Sequence, residues 1–123
     1  MSVSTILLYA MAIIYIAAGA NHFLQPKLYE RLIPPYFPAI SMLNYLSGLG
    51  EIIGGALLFF PATRNYGIAL IIFLLIAFMP AHIYMIQKAP FNIGKIKITL
   101  LIAWIRIPLQ VLLIWWAYQY WVK

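Results

Sequence analysis

Cysteine is absent from this chain of 123 residues, and acidic side chains nearly so, with Glu30 and Glu51 the only two. Without thiols the chain itself can perform no thiol–disulfide exchange and can hold no thiolate-bound metal or iron–sulfur cluster. Charge of any sign is scarce, at 8% of residues, whereas roughly a quarter of an ordinary soluble domain is charged. No internal repeat or low-complexity tract is present. Long polar stretches are missing too. Residues 1–26 and 65–87 carry no charged side chain, 41–61 only Glu51, and 98–122 only Arg106.

What fills that space is apolar, 66% of the chain. A helix needs about 20 such residues to cross a bilayer. Four segments qualify, at about 4–24, 41–60, 65–87 and 98–121. The expected fold is all-α, a membrane-embedded four-helix transmembrane bundle forming a single domain over 1–123, and the lipid bilayer is its first partner. The first segment lacks the basic n-region of a signal peptide and is long for its apolar core, so it is expected to be a retained span. Gln25-Pro26 should end it, because proline cannot continue the hydrogen-bond ladder. The stretch "PKLYERLIPPYFPAI" that follows is too polar and proline-rich to cross. It reads as an interfacial loop between helices 1 and 2, where tyrosine is favoured. Pro80 should kink the third span and free a carbonyl near His82. The terminal "WWAYQYW" belongs at a membrane interface.

The net charge of +6 does not point to nucleic acid. Lys27, Arg31, Lys88, Lys95 and Lys97 fall in the first and third connections, against Arg64 and Lys123 on the other side. By the positive-inside bias this places those two connections in the cytoplasm.

Four ionisable side chains remain inside or at the edge of the spans: His22, Glu51, His82 and Arg106. Such groups are rare in lipid and face a bundle interior or a cavity. From the rise per residue, Glu51 and Arg106 lie roughly 12–15 Å in from the face that carries His22 and His82. Small and polar stripes agree. Ser47, Gly48, Gly54 and Gly55 flank Glu51 at helical spacing, as Thr99, Ala103, Gln110 and Ala117 flank Arg106, while Tyr15, Ala18 and Gly19 accompany His22. A lone charge at this depth costs roughly 2.5–3.5 kcal/mol, so a Glu51–Arg106 ion pair is expected, either as a structural clip or as the polar wall of a pocket. Gln110, one turn from Arg106, offers a second hydrogen-bonding arm. His22 and His82 have a spacing compatible with haem ligation, or with an iron site completed by Glu51. Hydrogen bonding within a pocket is favoured over both, and no metal site is assigned.

The stretches "AGANHFLQPKLYERLIPPYFP", "LSGLGEIIGGALLFFPATR", "FMPAHIYMIQ" and "RIPLQVLLIWWAY" together resemble the DoxX family of small four-helix membrane proteins. The resemblance matches Ala18, Gly19, His22 and Phe23 to a first-span signature and Glu51 with Gly48 to a second. Arg106, Pro108, Leu109 and Gln110 match an R-x-P-L-Q signature in span four. His82 departs from it, since asparagine is common there. The resemblance implies a bacterial cytoplasmic membrane and an association with quinone-linked oxidoreductases.

Two functions follow as expectations. One is a membrane subunit that binds a quinone or another lipid-soluble small molecule through His22, Glu51, Arg106, Gln110 and His82, supporting a membrane oxidoreductase. The alternative is a non-catalytic scaffold or assembly chaperone, with a membrane-protein partner or a second copy, whose Glu51–Arg106 pair is purely structural. A proton-coupled exporter, suggested by four spans and a membrane glutamate, fits less well, because a paired glutamate cycles poorly through protonation. No catalytic residue is assigned, and a stand-alone enzyme is not expected.

Overall fold

Ser2 opens the first helix, its hydroxyl accepting from the Thr5 amide at 3.2 Å as an N-cap should. The computed structural model describes residues 2–122, so Lys123, counted above among the basic residues, lies outside them. Helix α1 runs Val3–Leu24 and stops where Pro26 begins the short α2, Pro26–Glu30. Helix α3 covers Ile40–Leu57, α4 Arg64–Ala77, α5 Met79–Lys88 and α6 Leu100–Tyr118. The molecule is mostly helical. Three segments are long and apolar enough to cross a membrane: α1, the continuous Arg64–Lys88 stretch of α4 and α5, and α6. Helix α3 is not among them, because Asn44, Ser47, Glu51 and its glycines dilute its apolar content.

Helix α3 is built inside out. Its buried positions are Asn44, Gly48, Glu51, Gly54 and Gly55, while Met42, Leu46, Leu49 and Ile53 face outward. The glycines explain what sits against that inner face. A Cβ on Gly48 would fall 2.6 Å from the His22 Cβ and 2.8 Å from the Gly19 carbonyl oxygen, so α1 and α3 meet almost backbone to backbone. On the other flank, a Cβ on Gly67 would meet the Gly54 carbonyl oxygen at 2.7 Å, which brings α4 equally close. Small residues give this approach in lipid-facing bundles, where dispersion contacts replace the hydrophobic effect.

The helices therefore follow each other as an arc. Helix α1 packs along α3, α3 along α4, and α4 and α5 along α6, whereas α3 and α6 make no extended contact. One core, around Leu8, Met11, Ala12, Leu58, Ile68, Ile71 and Ala117, fills the end of the bundle that holds the α3–α4 turn. At that end the Asn65 side chain brackets Val122, donating to its carbonyl at 2.6 Å and accepting from its amide at 2.7 Å. Arg64 Nε and the Thr63 hydroxyl donate to the Leu58 and Leu57 carbonyls, each at 2.9 Å, and satisfy the open end of α3.

The third connection is more ordered than expected. It folds as an antiparallel hairpin of β1, Phe91–Ile93, and β2, Ile96–Ile98, turned at Gly94 with φ of +58°. Ile93 and Ile98 bury against Met85 and Ala103. The fourth apolar segment thus enters its helix two residues later than expected. Thr99 acts as the N-cap, its hydroxyl accepting from the Ile102 amide at 3.2 Å. The third segment breaks at Phe78 between α4 and α5, since Pro80 lacks the amide that would continue the ladder.

Candidate functional site

The close approach of Gly19 to Gly48 lays His22 directly over α3. His22 Nδ1 pairs with Asn44 Oδ1 at 2.8 Å, and the Asn44 amide donates back to the His22 carbonyl at 3.0 Å. Asn44 Oδ1 can only accept, so Nδ1 carries a hydrogen, and Nε2 is turned to Glu51 with 3.7 Å to Oε1. That distance is long for a hydrogen bond. It becomes attractive when the pair holds one further proton, on the ring or on the carboxyl. The ring is fixed from its face as well: Tyr29 stacks on it at 3.8 Å and 20°, and Tyr29 in turn accepts from the Asn21 amide at 2.6 Å.

Across the bundle the helix break supplies the second wall. The Phe78 amide donates to the Leu74 and Ile76 carbonyls at the end of α4, and the Leu75 carbonyl between them accepts instead from the Gln110 amide at 2.8 Å. Gln110 therefore pins α6 to α4 and keeps its second N–H and its carbonyl oxygen for other partners. His82, in the first turns of α5, is 4% exposed, and neither ring nitrogen has a hydrogen-bond partner. Arg106 is half-buried on the same side.

Between the walls is a cavity of about 570 Å³, within the roughly 300–1,000 Å³ of small-molecule sites. His22, Glu51, His82, Arg106 and Gln110 all line it, and so do Tyr15 and Asn44. Leu75, Phe78, Met85 and Leu113 give it an apolar body, and Leu32, Ile33, Pro34, Phe37 and Pro38 from the first connection cover one end. Four buried polar atoms around it have no partner within the protein: Tyr15 Oη, Glu51 Oε2, and both nitrogens of His82. Buried polar atoms are almost always satisfied, so four around one space mark it out.

The expected Glu51–Arg106 pair is not formed. Among the described residues the one basic side chain within 4.0 Å of a carboxylate is His22, beside Glu51. Glu51 lies between Gly48 and Gly55, both of which press on α1, and this spacing aims the carboxylate at α1 rather than at α6. The scaffold alternative loses the structural clip it was built on. No group of three His, Asp or Glu residues suited to a metal ion occurs among the described residues. Asn44 and Tyr29 escaped the sequence reading, and Tyr15 was placed on an inward stripe without a role. Asn44 could have been found, because it sits two turns before Glu51 on the same helical face within an apolar segment.

The class these features define is a small helical protein with membrane-length segments around a largely apolar cavity that carries a few polar groups on its walls. Over residues 11–121 the chain matches the family described as a domain of unknown function, DUF8561, and it belongs to that family. Neither the curated proteins nor the solved structures contain a match. The resemblance to DoxX is thereby overturned, since the family that covers nearly the whole chain is a different one. Small residues on helix faces answer a packing need that helical membrane proteins share, so such stripes do not separate one family from another.

Proposed function

We propose that this chain is an integral membrane protein whose four apolar segments (α1, α3, α4 with α5, and α6) all cross the bilayer, and that its cavity binds a lipid-soluble small molecule with a compact polar head. Membrane embedding is supported by the outward faces of the helices. Leu101, Val111 and Leu112 are 69%, 61% and 57% exposed, and a continuous apolar surface of this kind is foreign to a water-soluble monomer. The fourth crossing is supported by the placement of the ends: Val122 is held at the α3–α4 turn, while the hairpin and α2 lie at the opposite end.

Ligand binding rests on one observation: Tyr15 Oη, Glu51 Oε2 and both His82 nitrogens are buried, lack a protein partner and border the same cavity. Leaving such a group unpaired costs about 1–3 kcal/mol, and a ligand head that meets them recovers that energy. A quinone is one molecule with the required carbonyls and apolar body. Support of an oxidoreductase followed from the DoxX resemblance alone and is not carried forward.

The test is photo-crosslinking of purified protein in detergent with a diazirine-bearing apolar probe, followed by peptide mapping. Labels are expected on Leu75, Phe78 or Leu113 and should fall several-fold in Ala18→Phe, which fills the cavity. Labelling spread over the outer faces of α1 and α6, unchanged by that substitution, would mean that the cavity holds no such molecule. The scaffold alternative keeps one supporting feature, the His22–Asn44–Glu51 contacts that knit α1 to α3, and it predicts that second outcome.

A further inference from the structure

The chain has two acidic side chains, and both are engaged away from Arg106. Glu30 Oε1 accepts from the Ser41 hydroxyl at 2.7 Å outside the cavity. Glu51 Oε1 is held toward His22 on the α1–α3 wall. Among the described residues no carboxylate comes within 4.0 Å of the Arg106 guanidinium, which also donates no hydrogen bond to the protein. An unpaired guanidinium in a largely apolar cavity is costly unless an anion reaches it. His82 adds an independent sign on the neighbouring helix, because it is 4% exposed, borders the same space, and has two unpartnered nitrogens.

From this we infer that the α5–α6 wall is an anion subsite, in which Arg106 and His82 hold the charged head of a single-chain amphiphile. The inference rests on the proposed cavity binding and names its ligand class. Arg106 presents a fork of donors matched to two oxygens of a carboxylate or phosphate, and a neutral His82 contributes one N–H beside it. The chain of the amphiphile then lies along Leu75, Phe78 and Leu113. Glu51 does not oppose this. It sits on the facing wall, where α3 and α6 make no extended contact, with His22 alongside it.

The experiment is a scintillation-proximity assay of tritiated dodecanoate on the purified full chain in maltoside micelles. Saturable binding is expected, displaced by unlabelled dodecanoate or dodecyl phosphate and not by dodecanol. Whichever of the two anions displaces at lower concentration identifies the head group as carboxylate or phosphate. Arg106→Gln should weaken binding by about tenfold or more, the scale of one charge-assisted contact. Arg106→Lys should keep part of the affinity, which guards against a folding defect in the glutamine variant. Displacement by dodecanol as effective as by dodecanoate, with no change in Arg106→Gln, would overturn the anion subsite while leaving cavity binding in place. Absence of saturable dodecanoate binding would overturn it as well, and the neutral photoprobe then decides separately whether the cavity binds anything.

Discussion

At the residue scale, the structure replaces one partnership with another. Glu51 and Arg106 looked like a pair because each is the one charged side chain in its apolar segment. The carboxylate instead meets His22 at 3.7 Å, with Asn44 holding the ring. Double-mutant cycles on thermal or denaturant stability in detergent separate the two arrangements. The His22→Ala and Glu51→Ala cycle is expected to show a coupling of about 0.5–3 kcal/mol, as contacting residues do. The Glu51→Ala and Arg106→Ala cycle is expected to show a smaller coupling, since the two make no ion pair and meet only across the cavity. A larger coupling in the second cycle than in the first would restore the pair that the sequence suggested. Periodicity could not settle this, since it shows which side of a helix faces protein but not which neighbour stands there.

At the element scale, glycine placement decides the order of the helices. Gly48 and Gly50 are two residues apart and make a controlled comparison. A methyl group on Gly48 meets backbone and the His22 Cβ at 2.8 Å or less, whereas on Gly50 it meets the tip of Leu74 at 3.0 Å. Gly48→Ala is therefore expected to destabilise by about 1–3 kcal/mol, the range for overpacking. Gly50→Ala should cost clearly less, because a leucine tip can turn aside. Equal melting temperatures for the two variants would argue against the α1–α3 approach described here. Much of the element pattern was legible beforehand. The expected limits of α1 and α3 fall within three residues of those observed, set by segment length and by Pro26. The kink at Pro80 became a local interruption at Phe78 within the stretch that continues from Arg64 to Lys88. The start of α6 was misplaced for a local reason: Ile96, Lys97 and Ile98 alternate as a strand does, and Thr99 is an N-cap. Reading the apolar run alone concealed both signals.

At the scale of the whole molecule, cavity and fold have one origin. The chain forms an arc because α3 is narrow enough to take α1 on one flank and α4 on the other. The break at Phe78 then carries α5 along α6, leaving the space that the unpaired polar atoms border. The four crossings proposed above would place Ser2 and Lys95 on opposite faces of the membrane. The absence of native cysteine makes this directly measurable. In sealed vesicles of one orientation, an impermeant maleimide should label one of Ser2→Cys and Lys95→Cys from outside, and the other only after the vesicles are opened. Labelling of both from the same face would exclude four crossings.

The inside-out build of α3 also bears on how the chain is made. A segment carrying Asn44, Ser47 and Glu51 is a poor candidate for partitioning into lipid by itself, because a central carboxylate alone costs roughly 2.5–3.5 kcal/mol. Asn44 gains its partners, and Glu51 Oε1 its basic neighbour, only once His22 of α1 is alongside. If all four segments cross as proposed, α1 and α3 are expected to enter the bilayer together as a hairpin. Gly48→Leu, which keeps them apart, is expected to leave the Lys95→Cys label divided between the two faces, so that a substitution chosen for packing is read out as a mixed topology at biogenesis.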